Sequence, residues 1–147
     1  MNSEQIAFEP FGSLAGVLSG APIKLMPVGT FYRGQRKIEI TADDLKQVAE
    51  NLKAGLPRFR VPINENHAGQ GKIGTVYDAA FDAAGADGPG LYATKYELTE
   101  VGQQLVRDKR FDAVSPEMLW SKNGAKYQDP QTGKEHDNVL VGLALTE

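Results

Sequence analysis

The sequence predicts a mainly β, α+β domain, folded as a small closed or partly open β-barrel with two or more short flanking helices. Three observations carry this expectation. At least six segments are apolar in alternation or throughout, as strands are. Only two segments repeat apolar residues at helical spacing, and both are short. Glycine, proline and asparagine stand at nearly every junction, and no internal repeat is present. A length of 147 residues gives one domain with a real core rather than two.

Residues 1–21 are polar and dotted with glycine (Gly12, Gly16, Gly20), and read as a flexible N-terminal arm. The folded domain then runs from residue 22 to 147. Pro22 to Pro27 supplies a first strand through Ile23, Leu25 and Met26. Val28 to Tyr32, a turn at Arg33-Gly34-Gln35, and the alternating Lys37-Ile38-Glu39-Ile40 follow. Thr41 opens the clearest helix, with Asp44 three residues on and Leu45, Val48, Ala49 and Leu52 on one face. Gly55 and Pro57 stop it. Arg60 to Asn64 reads as a short strand leading into Glu65-Asn66-His67 and a glycine-rich bend. Ile73 to Asp78 and Leu91 to Leu98 are the next strands, joined by an alanine, glycine and aspartate loop. Thr99 caps a second helix, with Val101, Leu105 and Val106 expected to face inward. Phe111 to Trp120 reads as a half-buried strand with Ser115 at its centre. Asn123-Gly124 predicts a hairpin with Trp120 and Tyr127 on its two arms. Val139 to Leu145, apolar throughout, predicts a strand buried on both faces.

Composition narrows the function classes. The chain is 41% hydrophobic and 24% charged with a net charge of −3, and its lysines and arginines are scattered. That leaves no electrostatic footprint for nucleic acid or an anionic membrane. The absence of cysteine removes disulfides, thiolate metal sites and cysteine nucleophiles, and fits a reducing compartment. No apolar run approaches the roughly 20 residues of a membrane span, and the start of the chain lacks the basic, apolar pattern of a secretory signal. A soluble intracellular domain is expected.

Several motif readings fail on their context. Gly69-Gln70-Gly71-Lys72-Ile73-Gly74 matches G-x-G-x-x-G, but a strand-like segment follows where dinucleotide binding requires a helix N-terminus. Asn66 and Ile73 occupy positions where a P-loop needs glycine and Ser/Thr. His67, His136, Glu65 and Asp137 have no metal-ligand spacing, so neither metal nor cofactor is expected. A serine with a histidine base remains. Serine attacks poorly until an imidazole takes its proton, and the imidazole needs a third group to hold its tautomer. His67, at a strand end before a flexible bend, is placed for that part. On residue types alone, an idle exposed histidine and a Ser-Pro turn are the stronger reading of the same letters.

The order of segments resembles that of the Mu-type phage prohead (capsid maturation) proteases, serine peptidases grouped by fold with the herpesvirus assemblins. The matching marks are Leu25-Met26-Pro27-Val28-Gly29-Thr30-Phe31, the Ile38 strand, the Thr41 helix and Val61-Pro62-Ile63-Asn64-Glu65-Asn66-His67. Next come Ile73-Gly74-Thr75-Val76, Gly90-Leu91-Tyr92-Ala93, Phe111-Asp112-Ala113-Val114-Ser115-Pro116-Glu117 and Leu143-Ala144-Leu145-Thr146-Glu147. Each motif is short and degenerate; their joint order, from about residue 22 to the end, is what resembles the family.

The resemblance implies an assemblin-like protease domain over residues 22–147 that cleaves scaffolding protein, and itself, inside the assembling prohead in the host cytoplasm. Scaffolding and capsid proteins are the implied partners, with a homodimer as the implied assembly. Ser115 is then the nucleophile and His67 the general base. The third member is implied to come from the strand after the serine, with Glu147 preferred and His136 or Asp137 as alternatives. The chain's end after Thr146 reads, against that family, as trimmed or self-processed. The competing reading is a non-catalytic β-domain serving as a scaffold- or capsid-binding module. An esterase or lipase is disfavoured, since no G-x-S-x-G elbow occurs.

Overall fold

A computed structural model of the chain describes residues 6–7, 12–14, 16–68 and 71–147. The elements in order are β1 (Ile6–Ala7), β2 (Gly12–Ser13), β3 (Ile23–Pro27), β4 (Gly29–Arg33), β5 (Arg36–Ile40) and α1 (Ala42–Lys53). Then come β6 (Val61–Glu65), β7 (Gly74–Asp82), β8 (Gly90–Leu98), α2 (Glu100–Arg107), β9 (Ala113–Leu119), β10 (Tyr127–Gln128), β11 (Glu135–His136) and β12 (Val139–Thr146). The main sheet has the order β1-β9-β12-β6-β7-β8-β3, with β2 also pairing with β9. Because β3 comes back against β9 and β2, six strands nearly close into a barrel. Its pairs are antiparallel except β12 with β6. The fold is therefore the small, mainly β, α+β barrel that the strand and helix patterns imply.

Local chemistry explains the helices. Thr41 Oγ1 accepts the Asp44 N–H at 3.1 Å while the Asp44 carboxylate accepts the Thr41 N–H at 3.0 Å, so two otherwise orphaned donors are satisfied reciprocally. Leu45, Val48 and Ala49 are buried against the barrel, and Gly55, at a φ of 86°, ends the helix. Thr99 caps α2 with its hydroxyl alone, which accepts the Gly102 N–H. Leu105 and Val106 pack against the core as expected, and the inward face is corrected at Val101, which is exposed. Gly102 packs in beside them, its backbone so close to the Ile73 carbonyl that a Cβ would collide with it.

The barrel interior holds Leu25, Met26, Ile63, Val76, Leu91, Val114, Met118, Leu140, Leu143 and Leu145. A second, smaller cluster of Leu56, Leu119, Ala125, Tyr127, Val139 and Val141 covers part of the outer face. Alternation along β9 follows from these two clusters. Val114 and Met118 point into the barrel, so Ser115, Glu117 and Leu119 point outward.

Three further expectations change. The strand around Ser115 is buried along Val114–Trp120, not half-exposed, because the second cluster and the site described below cover its outer face. Asn123-Gly124 does not close a hairpin on β9. Ser121–Asn123 forms a 3-10 turn capped by Gly124, and β10 pairs with β11 instead. The partner of β9 is β12, since two apolar strands bury more surface against each other than a local turn can offset. Finally, parts of the expected arm join the sheet: β1 and β2 pair with β9, and Val17 is buried in a short 3-10 helix. Residues 1–5, 8–11 and 15 of that arm, and Gly69 and Gln70 of the glycine-rich bend, lie outside the described residues.

Candidate active site

The site is built on the outer face of two adjacent strands. Ser115 lies opposite Ala144 and Glu117 opposite Gly142 in the β9–β12 ladder, and Ala144 in turn lies opposite Asn64 on β6. Two residues apart on one strand, Ser115 and Glu117 share a face. Small residues on β12 leave that face open between β9 and β6. Gly142 is essential to this, because a Cβ there would collide with Glu117 Oε1.

His67 arrives from the far side of β12. After β6 the chain turns sharply, with Asn66 at a φ of 48° and His67 at 63°, and the Ala68 N–H bonds the Glu65 carbonyl at 2.7 Å. Two consecutive left-handed residues make a tight reversing turn. That conformation is uncommon outside glycine and carries strain, although asparagine and histidine adopt it more readily than most residues. The Asn66 N–H bonds the Leu145 carbonyl at 2.9 Å, and the Glu147 N–H reaches Asn66 Oδ1 at 3.4 Å, tying the turn to the end of β12.

From this turn the imidazole spans the two β9 side chains. His67 Nε2 is 2.9 Å from Ser115 Oγ, and His67 Nδ1 is 2.5 Å from Glu117 Oε2. Asn64 Nδ2 donates to the same Glu117 oxygen at 3.2 Å. Glu117 is only 6% exposed, and a buried carboxylate needs hydrogen bonds to persist. His67 Nδ1–H and Asn64 Nδ2 supply them. A carboxylate accepts and does not donate, so Nδ1 carries the proton and Nε2 presents its lone pair to the Ser115 hydroxyl. An imidazole so held can take the serine proton and be stabilised as a cation by the carboxylate behind it.

Of the residues singled out from sequence, Ser115 and His67 are therefore in contact. The third partner is corrected. Among the described residues, Glu147 meets the turn through its backbone N–H, and it borders a shallow surface concavity with Lys109, Arg110 and Asp112. His136 pairs with Tyr127 in the β10–β11 ladder, while Asp137 lies near Lys126 and accepts from Asn51 through its carbonyl. Both precede β12, roughly 20 Å along the strand from Ala144. The group at Nδ1 is Glu117, on the serine's own strand rather than the one after it. Two signals point there: a lone carboxylate in an apolar strand at period two from Ser115, and a glycine interrupting the apolar run of β12.

No protein-family model, curated protein or solved structure matches the chain.

Proposed function

We propose that the protein is a serine endopeptidase, with Ser115 as nucleophile, His67 as general base and Glu117 orienting and stabilising the imidazole. The observation that carries this reading is the continuous Ser115–His67–Glu117 hydrogen-bonded chain, with the acid buried and anchored by Asn64. Two costs that converge on one point support it: a histidine in the left-handed region and a carboxylate buried over a glycine. In the proposed reaction the Ser115 oxygen attacks a peptide carbonyl as His67 takes its proton. The imidazolium then returns that proton to the leaving amine, and water repeats the sequence on the acyl-enzyme.

The segment order shared with prohead proteases supports a narrower form of the proposal. The substrate is then the scaffolding protein of an assembling phage capsid, together with the chain itself, and scaffolding and capsid proteins are the partners. Co-expression with a scaffolding protein tests it. Cleavage is expected with the unaltered chain and none with Ser115→Ala, whose fold should be retained. Equal processing by the alanine variant would refute the assignment. A serine-directed fluorophosphonate separates this from a non-catalytic binding module, which should not be labelled at Ser115.

A further inference from the structure

The lysines and arginines scattered along the sequence are not all scattered on the surface. The Arg60 guanidinium lies 5.9 Å from the centre of the Tyr77 ring, and the Lys95 ammonium lies 6.0 Å from it. Arg60, Tyr77 and Lys72 border a concavity of about 200 Å³ together with Thr75, Glu97 and Thr99. Among the described residues, none of the three cations has a carboxylate within ion-pair distance. Tyr77 stands at a bulge, where β7 and β8 shift register between Val76 and Asp78, and its ring is 38% exposed. Its hydroxyl donates to the Glu97 carboxylate at 3.3 Å. Thr75 is only 5% exposed, and among the described residues its hydroxyl has no hydrogen-bond partner. The concavity lies on the face that carries the triad. Ser115 is opposite Ala144 and Ala144 opposite Asn64; Pro62, two residues before Asn64, keeps that face and lies opposite Thr75. Thr75 is thus three strands across and two residues along from Ser115, about 16 Å over the sheet. An extended chain covers that distance in about five residues.

We infer that this cationic strip is a binding site for an acidic stretch of polypeptide, which it holds about five residues from the bond presented to Ser115. The inference deepens the endopeptidase reading and rests on it for calling the bound chain substrate. Three features support it. First, cations gathered without acidic partners repel one another, and carboxylates brought among them relieve that repulsion. Second, the charges are spread rather than focused. Arg60 reaches Tyr77 from the β6 side and Lys95 from the β8 side, so they match carboxylates spaced along a chain better than one compact anion. Third, the half-exposed Tyr77 ring gives the aliphatic stems of such a chain an apolar surface to lie on. A nucleic acid fits less well, because Glu97 stands within the strip and the chain's net charge is −3.

Binding is read without chemistry on the full chain carrying Ser115→Ala, isotope-labelled for amide NMR and titrated with a decapeptide alternating glutamate and alanine. Saturable shifts at the Thr75, Tyr77 and Lys95 amides are expected. Affinity should fall about tenfold in the chain that also carries Arg60→Gln and Lys95→Gln, since each exposed charge pair contributes a few-fold. Raising salt from about 50 to about 200 mM should weaken binding about threefold or more. The matching glutamine–alanine peptide should not bind. Equal binding by that peptide or by the Arg60→Gln/Lys95→Gln chain, or no shift at these amides, would overturn the inference. An oligouridylate of the same length that binds there more tightly would overturn the assignment to polypeptide. Cleavage is read on a mixed peptide library. Asp and Glu should be enriched about four to six residues to one side of the cleaved bond, and the enrichment should vanish with Arg60→Gln and Lys95→Gln. Fluorophosphonate labelling of Ser115 should not change with those two substitutions, which lie outside the triad. If labelling occurs and no acidic peptide binds, the strip falls and the endopeptidase reading stands. If the peptide binds and no form of the protein is labelled, the endopeptidase reading falls and the strip stands.

Discussion

Replacing Glu117 with glutamine isolates the charge behind the imidazole. The amide has the shape of the acid, so the volume over Gly142 is unchanged. Asn64 donates to this position from Nδ2 at 3.2 Å, and its own Oδ1 is buried with no hydrogen-bond partner among the described residues. With the glutamine oxygen towards His67 Nδ1 the tautomer is kept; with its NH2 there, accepted by a turned Asn64 amide, the tautomer is reversed and the loss is greater. In either case what disappears is the attraction between carboxylate and imidazolium as Ser115 gives up its proton. With charge centres about 4 Å apart and an effective dielectric of about 20, that attraction is about 4 kcal/mol. The amide dipole recovers part of it. The loss is thus about 2–4 kcal/mol, or roughly 30- to 1,000-fold in the rate of fluorophosphonate labelling and in kcat. KM should hardly move, because the interaction strengthens only as the proton is transferred. The assay is the second-order labelling rate constant, with Ser115→Ala as zero and a melting curve as the control for folding. Glu147→Gln is the internal comparison and should behave as the unaltered chain. A Glu117→Gln rate within about fivefold of the unaltered chain would refute the triad described here. So would a Glu147→Gln loss of the same size.

Two further outcomes are expected. Gly142→Ala places a methyl against Glu117 Oε1, so it should cut labelling by about 100-fold or more while the barrel still melts cooperatively, because the acid swings off Nδ1 rather than the strand moving. Asp129 is held below the usual carboxylate range by the Arg58 guanidinium, helped by the Gln131 N–H and the Thr132 hydroxyl. A depressed folded-state value contributes stability above the unfolded-state value and loses it as pH falls through the folded one. Asp129→Asn should therefore melt earlier than the unaltered chain at pH 6, with the gap closing as pH drops below about 4.

What could be read from the sequence was what short-range chemistry decides. The Thr41–Asp44 box, the Leu45–Val48–Ala49 stripe and the Gly55 stop are settled within one helix, and their spacing states them. Asn123-Gly124 is also a local signal, but it lost to a non-local one, since β9 buries more by pairing with β12 than by turning back on itself. Val101 was misassigned because helical spacing cannot show that Gly102 approaches the Ile73 carbonyl. The site divides in the same way. Residue type and position make Ser115 and His67 candidates, and only the resemblance pairs them. Glu117 is written in the period of its own strand, whereas the resemblance implies a partner from the strand after it.

Because Ser115 and Glu117 are two residues apart on one pleated strand, their separation is set by the barrel and can change only if the barrel does. His67 alone of the three comes from elsewhere, on a two-residue turn held, among the described residues, by the Asn66 N–H, the Ala68 N–H and the Glu147 N–H. The site therefore has one moving part. Heat or mild denaturant should silence it by releasing this turn well before the strands separate. The temperature at which activity disappears would then report the opening of four residues, Glu65 to Ala68, rather than the melting of the whole domain.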